Sequence, residues 1–110
     1  MQGRHLLIGM ALAIASAGAA AQEGNAEAAR DKLSMCIGCH GIPGYRTAFP
    51  EVYPVPKLGG QHAQYIVRAL QAYRDETRRH PSMQAIARDL TDQEMADFAA
   101  YYSRPQGGGR

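Results

Sequence analysis

Two thiols and an imidazole stand within five residues of one another, Cys36-Ile37-Gly38-Cys39-His40. Two residues between the cysteines let both sulfurs reach the vinyl groups of a porphyrin and add to them as thioethers. A His directly after the second thiol reaches the iron without straining either link. The pattern is that of covalent haem attachment, with His40 as the proximal iron ligand. Other uses of the pair fit less well. A disulfide across two residues is strained, and a thioredoxin-like redox pair follows a strand in a βαβ unit, whereas these cysteines close a helical stretch. A structural zinc site needs four ligands, and outside the N-terminal segment only His62 and His80 remain to supplement Cys36, Cys39 and His40.

The sixth iron position decides between electron transfer and chemistry on a bound ligand. Met35 directly precedes Cys36 and is held on the attachment side. Met95 falls in a hydrophobic staple at the start of a helix. Met83 lies 43 residues after His40, in the stretch His80-Pro81-Ser82-Met83-Gln84, which reads as a loop, and it is the distal candidate. A Met that merely fills a gap is the plain alternative. His80 is the rival ligand, and a pair of histidines would lower the reduction potential.

These groups need elements to hold them. From Asn25 to about Cys39, apolar residues at Ala26, Ala29, Leu33 and Cys36 or Ile37 follow a helical spacing, with Asn25 as N-cap. Residues 41–60 hold Pro43, Pro50, Pro54 and Pro56 with four glycines, which predicts a long loop. So long a loop in a small domain implies that it wraps something. His62 to Arg79 reads as a second helix through Tyr65, Ile66, Ala69, Leu70 and Tyr73, stopped by Pro81. Thr91 and Glu94 form a capping box, with Leu90 and Met95 at the staple positions, and open a third helix that runs through Phe98, Ala99 and Tyr102 to Pro105. No strand pattern is present, so the class is all-α with long loops. The Gly107-Gly108-Gly109 tail is expected to be disordered.

The 110 residues allow one small domain. A formal charge of +2, with charged residues at 20% and well dispersed, excludes a nucleic-acid surface and a disordered charged tail. The chain has no Trp, six Tyr and two Phe, thin material for a core, which a buried porphyrin would complete. The first segment, 1–21, reads as a secretory signal: Arg4 and His5, an apolar run from Leu6 to Ala15, and Ala19-Ala20-Ala21 before a cut at Gln22. Its apolar stretch is short of the ~20 residues of a spanning helix, which sets an uncleaved anchor second. The domain is then 22–104, the tail 105–110, and the location periplasmic, with no membrane span after cleavage. Arg68, Arg74, Arg78 and Arg79 make the second helix basic, but Asp75 and Glu76 interleave with them, which favours a solvated face over a docking patch. Tyr45, Arg46 and Tyr53 could meet haem propionates or could be loop surface.

A signal sequence, the CxxCH motif on a first helix, a proline-rich loop ending in Pro56-Lys57-Leu58-Gly59-Gly60-Gln61, a long second helix, a Met loop and an aromatic final helix resemble the small bacterial class I cytochromes c. The likeness covers residues 24–103 and is closest to the module found singly or duplicated in diheme periplasmic cytochromes. It implies three to five helices wrapped around one covalently attached haem c. It also implies crossed first and last helices, with Ala29 and Leu33 near Phe98 and Tyr102. By the same resemblance the Pro56 carbonyl would hold the proximal His40, and Leu58 would pack on the haem. Ala85 stands where the family often has a proline after the ligand Met. The implied function is a one-electron carrier with His40 and Met83 on the iron, not an enzyme, meeting redox proteins as donor and acceptor. A haem subunit bound permanently to a periplasmic dehydrogenase or oxidase is the alternative, with an open-site sensor or enzyme behind it.

Overall fold

The computed structural model describes residues 22–49 and 51–105. The expected signal segment, 1–21, and the expected tail beyond Pro105 lie outside the described residues. Five helices and one short hairpin make up the chain: α1 Ala26–Arg30, α2 Ser34–His40, β1 Arg46–Thr47, β2 Tyr53–Pro54, α3 Ala63–Arg74, α4 Pro81–Arg88 and α5 Asp92–Tyr102.

Asn25 caps α1 as expected, its side chain accepting from Glu27 N and Ala28 N. The single first helix expected up to Cys39 is two. Between α1 and α2 the chain tightens into i→i−3 bonds, Lys32 N to Ala29 O at 3.0 Å and Cys36 N to Leu33 O at 2.9 Å. No Gly or Pro marks this break, so composition gave no warning of it.

The second helix ends at Arg74, five residues short of the expected Arg79. Asp75 is its C-cap and Glu76 takes a left-handed φ of 63°. The orphaned carbonyls of the last turn are still met: Tyr73 O accepts from Glu76 N at 3.3 Å, and Ala72 O from Arg78 N at 3.1 Å. Pro81 does not stop α3 but starts α4. It sits at the first helical position behind an N-cap His80, where a missing N–H costs nothing. The expected Met83 loop is therefore a correction: Met83 is in the first turn of a helix.

The expectation of no strand is also corrected. β1 and β2 pair antiparallel with Arg46 opposite Pro54 and Thr47 opposite Tyr53. Two residues per strand are too few to show an alternation in sequence.

The third expected helix is α5, and its start is as read. Thr91 and Glu94 cap one another reciprocally, and the staple residues Leu90 and Met95 are both buried. α5 packs on α1 and α3, and α4 packs on α3. Ala29, Ile66, Leu90, Met95, Phe98, Ala99 and Tyr102 form the central cluster, with Leu33, Cys36 and Leu58 against it. Where the entering chain crosses α5, a Cβ on Gly24 would lie 2.0 Å from the Ala96 carbonyl oxygen. Next to that crossing, buried Asp97 accepts from Asn25 N at 2.7 Å and from Gln93 Nε2 at 2.8 Å. At the far end of α3, Arg74 binds Asp92 at 2.8 Å and the Leu90 carbonyl at 3.2 Å.

Candidate haem site

The seven residues of α2 carry both thiols and the imidazole. Cys36, Cys39 and His40 stand at i, i+3 and i+4, which sets them on one face of the helix. Both cysteines are free; Cys36 is half-buried against the core cluster, and Cys39 is exposed. The helix ends directly after His40, where Gly41 donates its N–H to the Ile37 carbonyl at 3.0 Å.

His40 Nδ1 lies 2.7 Å from the carbonyl oxygen of Pro56. A carbonyl can only accept, so Nδ1 carries the proton and donates, leaving the Nε2 lone pair bare. That is the tautomer an iron ligand needs, with its orientation and basicity set by the outer bond. The Pro56 carbonyl is itself held. Four residues on, Gly60 N donates to Tyr102 O at 2.9 Å and to Arg104 O at 3.1 Å, and Gly60 has a φ of 80° that calls for glycine. Leu58, between these anchors, is half-buried against the cluster.

Burial pushes the Cys36 thiol up to about 11, an effect that the nearby Tyr102 hydroxyl partly opposes. Tyr102 Oη is fully buried and makes no hydrogen bond of proper geometry, so the sulfur beside it is at best a weak partner. Burial raises the Tyr102 hydroxyl as well, with the neighbouring Cys36 adding to the effect. Both groups are thus neutral near pH 7, and Cys36 packs as a small apolar side chain. The sequence places Tyr102 on the core face of α5, and nothing in its helical register marks it as a neighbour of Cys36.

Met83 is half-buried, three residues after the N-cap of α4. Its N–H donates to His80 Nδ1 at 3.4 Å, and His80 N donates to Gln84 Oε1 at 3.2 Å. The His80 ring meets Tyr53 edge-on, with centroids 4.9 Å apart. A cavity of about 310 Å³ adjoins this group, lined by Thr47, Glu51, Tyr53, His80 and Gln84 among others. Met35 is exposed beside Cys36 and Met95 is fully buried in the staple. Two of the basic residues of the second helix segment are internally engaged: Arg74 with Asp92, and Arg78 over the Tyr73 ring at 4.9 Å with a bond to Tyr65 Oη at 3.4 Å.

The donors fit a haem: two free thiols and an imidazole with a bare Nε2 on one helix face, and aliphatic Leu58 on the core side. Among the described residues no three His, Cys, Asp or Glu side chains gather as a metal cluster, so His62 and His80 do not join the Cys pair as zinc ligands. The family model for cytochrome c matches residues 21–103. The chain belongs to the cytochrome c family. With that membership comes one covalently attached haem c, and the helical architecture is that of a small bacterial class I cytochrome c. The chain is 41% identical over 83 residues to cytochrome c-554(548) of Halomonas halodenitrificans, covering 73% of this chain and 95% of that protein. It is 40% identical over 87 residues to a cytochrome c4 of Thiocapsa roseopersicina, 77% of this chain and 42% of the relative. It is 30% identical over 101 residues to the thiosulfate dehydrogenase electron acceptor of Thiomonas intermedia, 90% of this chain and 45% of the relative. This cytochrome thus spans nearly all of the first relative and under half of the other two.

When bound, the haem supplies one-electron chemistry at its iron. The polypeptide orients the imidazole through Pro56, keeps Cys36 dry, and holds α2 against the cluster through Cys36 and Leu33.

Proposed function

We propose that this cytochrome is a periplasmic one-electron carrier whose iron is held by His40 and Met83, with Cys36 and Cys39 as the thioether residues and Leu58 against the porphyrin. The observation that carries this reading is the 2.7 Å bond from His40 Nδ1 to Pro56 O, which frees Nε2 and fixes its direction. With protein ligands on both sides of the iron there is no open position for a substrate, so the domain carries electrons rather than making bonds. A buried His/Met pair favours ferrous iron and a comparatively high potential.

The periplasmic location rests on the leader-like residues 1–21. Among the described residues no helix is long and apolar enough to cross a membrane. A relative named as the electron acceptor of a thiosulfate dehydrogenase supports a dehydrogenase as the electron donor, with another redox protein as acceptor. The same likeness supports the second reading, a haem subunit held permanently on such a dehydrogenase. A stable partner that survives purification distinguishes that arrangement from a free shuttle.

The test is Met83→Ala in the haem-loaded protein. The ferric low-spin spectrum of a Met-ligated haem is lost, and the ferrous form binds carbon monoxide within mixing time. A spectrum unchanged by the substitution removes Met83 from the iron.

A further inference from the structure

We propose that His80, backed by the ring of Tyr53, is a positioning residue for Met83, so that the short stretch Tyr53 to Pro56 braces both axial ligands at once. The inference rests on the reading of Met83 as the distal ligand. The Met83 N–H is one of the orphaned donors of the first turn of α4, and among the described residues its tie is the Nδ1 of His80 at 3.4 Å. Gln84 returns the favour by accepting from His80 N at 3.2 Å, so Met83 sits inside a closed pair of bonds. The usual N-cap residues are small, and Ser, Thr, Asp or Asn would make the first bond equally well. An imidazole adds something that they cannot. Its ring is broad enough to reach out of the helix and rest edge-on against Tyr53 at 4.9 Å, with the planes 76° apart.

Tyr53 in turn is fixed by the hairpin. It pairs with Thr47, whose Oγ1 lies 3.1 Å from the Glu51 carbonyl and 3.3 Å from that of Tyr53. The ladder is prolonged by Val55 N donating to Tyr45 O at 3.0 Å. The next residue is Pro56, whose carbonyl receives the His40 proton. Within four residues the chain passes from the support of the distal side to the partner of the proximal ligand. This gives the proline-rich loop a second role besides wrapping, since a shift of β2 is felt at both iron positions.

The experiment is an imidazole titration of the ferric, haem-loaded protein, in which imidazole competes with the Met83 sulfur, followed by the Met–iron absorption signature and the reduction potential. His80→Ala removes the cap and raises the apparent imidazole affinity about five-fold, the factor a lost N-cap bond corresponds to. His80→Asn restores the cap acceptor and brings the imidazole affinity most of the way back to the wild-type value. Tyr53→Ala raises the affinity about two- to three-fold with the cap residue intact, and Tyr53→Phe, which keeps the ring, leaves it unchanged. Thr91→Ala, which weakens the fold elsewhere, lowers the melting temperature without moving the imidazole affinity. Wild-type affinity in both His80→Ala and Tyr53→Ala, with the Met signature intact, overturns the proposal. If His80→Ala does not yield folded haem protein, Tyr53→Ala and Gln84→Ala carry the test by the same criterion. Met83→Ala is titrated alongside: a Met signature that survives it shows the distal reading wrong. If the signature is lost in Met83→Ala while His80→Ala and Tyr53→Ala behave as wild type, only the positioning role fails. A low-spin spectrum lost in His80→Ala and kept in Met83→Ala makes His80 the ligand and ends the proposal.

Discussion

A proton on one nitrogen of His40 and the missing side chain of Gly24 set two limits on this molecule. At His40 the carbonyl of Pro56 leaves only one tautomer, and that tautomer has a bare Nε2. At Gly24 there is no room for a methyl group, since its Cβ would meet the Ala96 carbonyl at 2.0 Å, well inside contact distance. Gly38, between the two cysteines, has nothing within 4 Å of the equivalent position. Gly24→Ala is therefore expected to cost about 2–3 kcal/mol as overpacking at a backbone crossing. On a domain of this size that is a fall of at least ~8 °C in melting temperature. Gly38→Ala is the control and leaves the melting temperature unchanged or slightly higher, because Ala is the better helix residue. Equal melting temperatures for the two variants would show that the entering chain can move off α5. At this scale the sequence was most informative where chemistry forces spacing. Cys36, Cys39 and His40 suggest an attachment pattern through the reach of two thiols, whereas the Pro56 contact is reached only through resemblance, because a backbone carbonyl sixteen residues away leaves no mark on composition. The Tyr102 hydroxyl beside Cys36 and the ring of Tyr53 on His80 are products of packing between distant elements, and no local pattern carries them.

Elements start more legibly than they stop. The capping box of α5 is readable because two side chains three positions apart have one shared use, and both bonds are present, Thr91 Oγ1 accepting from Glu94 N at 3.1 Å and Glu94 Oε2 accepting from Thr91 N at 2.9 Å. Pro81 opens α4 instead of closing α3. A proline after a helical stretch can close it or open the next one, and only the N-cap geometry of His80 decides. The end of α3 had no sign at all, since a glutamate rather than a glycine takes the left-handed position at residue 76. The Glu94 carboxyl is held below its usual range, first by the Lys32 ammonium, with which it forms an ion pair across to the α1–α2 turn, and next by the Thr91 N–H. A carboxyl lowered on folding stabilises the native state above its unfolded pKa, and the effect is lost as the pH falls through the folded one. Glu94→Gln should accordingly melt below wild type at pH 7. The gap between the two should narrow as the pH drops below about 4, where the unfolded carboxyl takes up its proton. Melting curves of both proteins between pH 7 and pH 3 check this; a gap that stays constant across that range shows that the charge of Glu94 contributes nothing.

For the molecule as a whole, the decisive quantity is how little apolar material the chain supplies. The buried apolar residues are ten among those described, and five of them are alanines. Only Ile66, Leu90, Met95, Phe98 and Tyr102 bring real volume, and all of them lie on or against the α3–α5 contact. The loop does not make good the shortage, for Ile42, Phe49 and Val52 stay exposed. A domain of about 80 residues whose core is this small gains little from packing alone and needs a further cross-link or cofactor. The covalently attached haem of the family is that addition; on the proposed attachment through α2 and contact with Leu58, the secondary structure on that side of the molecule would have no other reason to stay in place. Removing both proposed attachment thiols, Cys36→Ala with Cys39→Ala, tests the point without touching the α3–α5 contact. The haem-free chain is expected to lose its cooperative thermal transition and much of its helical circular dichroism at 25 °C. What helix remains should be confined to α3 and α5, where amide hydrogen exchange would still show protection. α2 should exchange at the rate of an unfolded chain, because its half-buried Cys36 and His40 then have only the thin edge of the cluster and one carbonyl to hold them. A sharp transition at the temperature of the haem-loaded protein would mean instead that five bulky side chains and their alanine neighbours suffice, and that the haem is a passenger in an already stable fold.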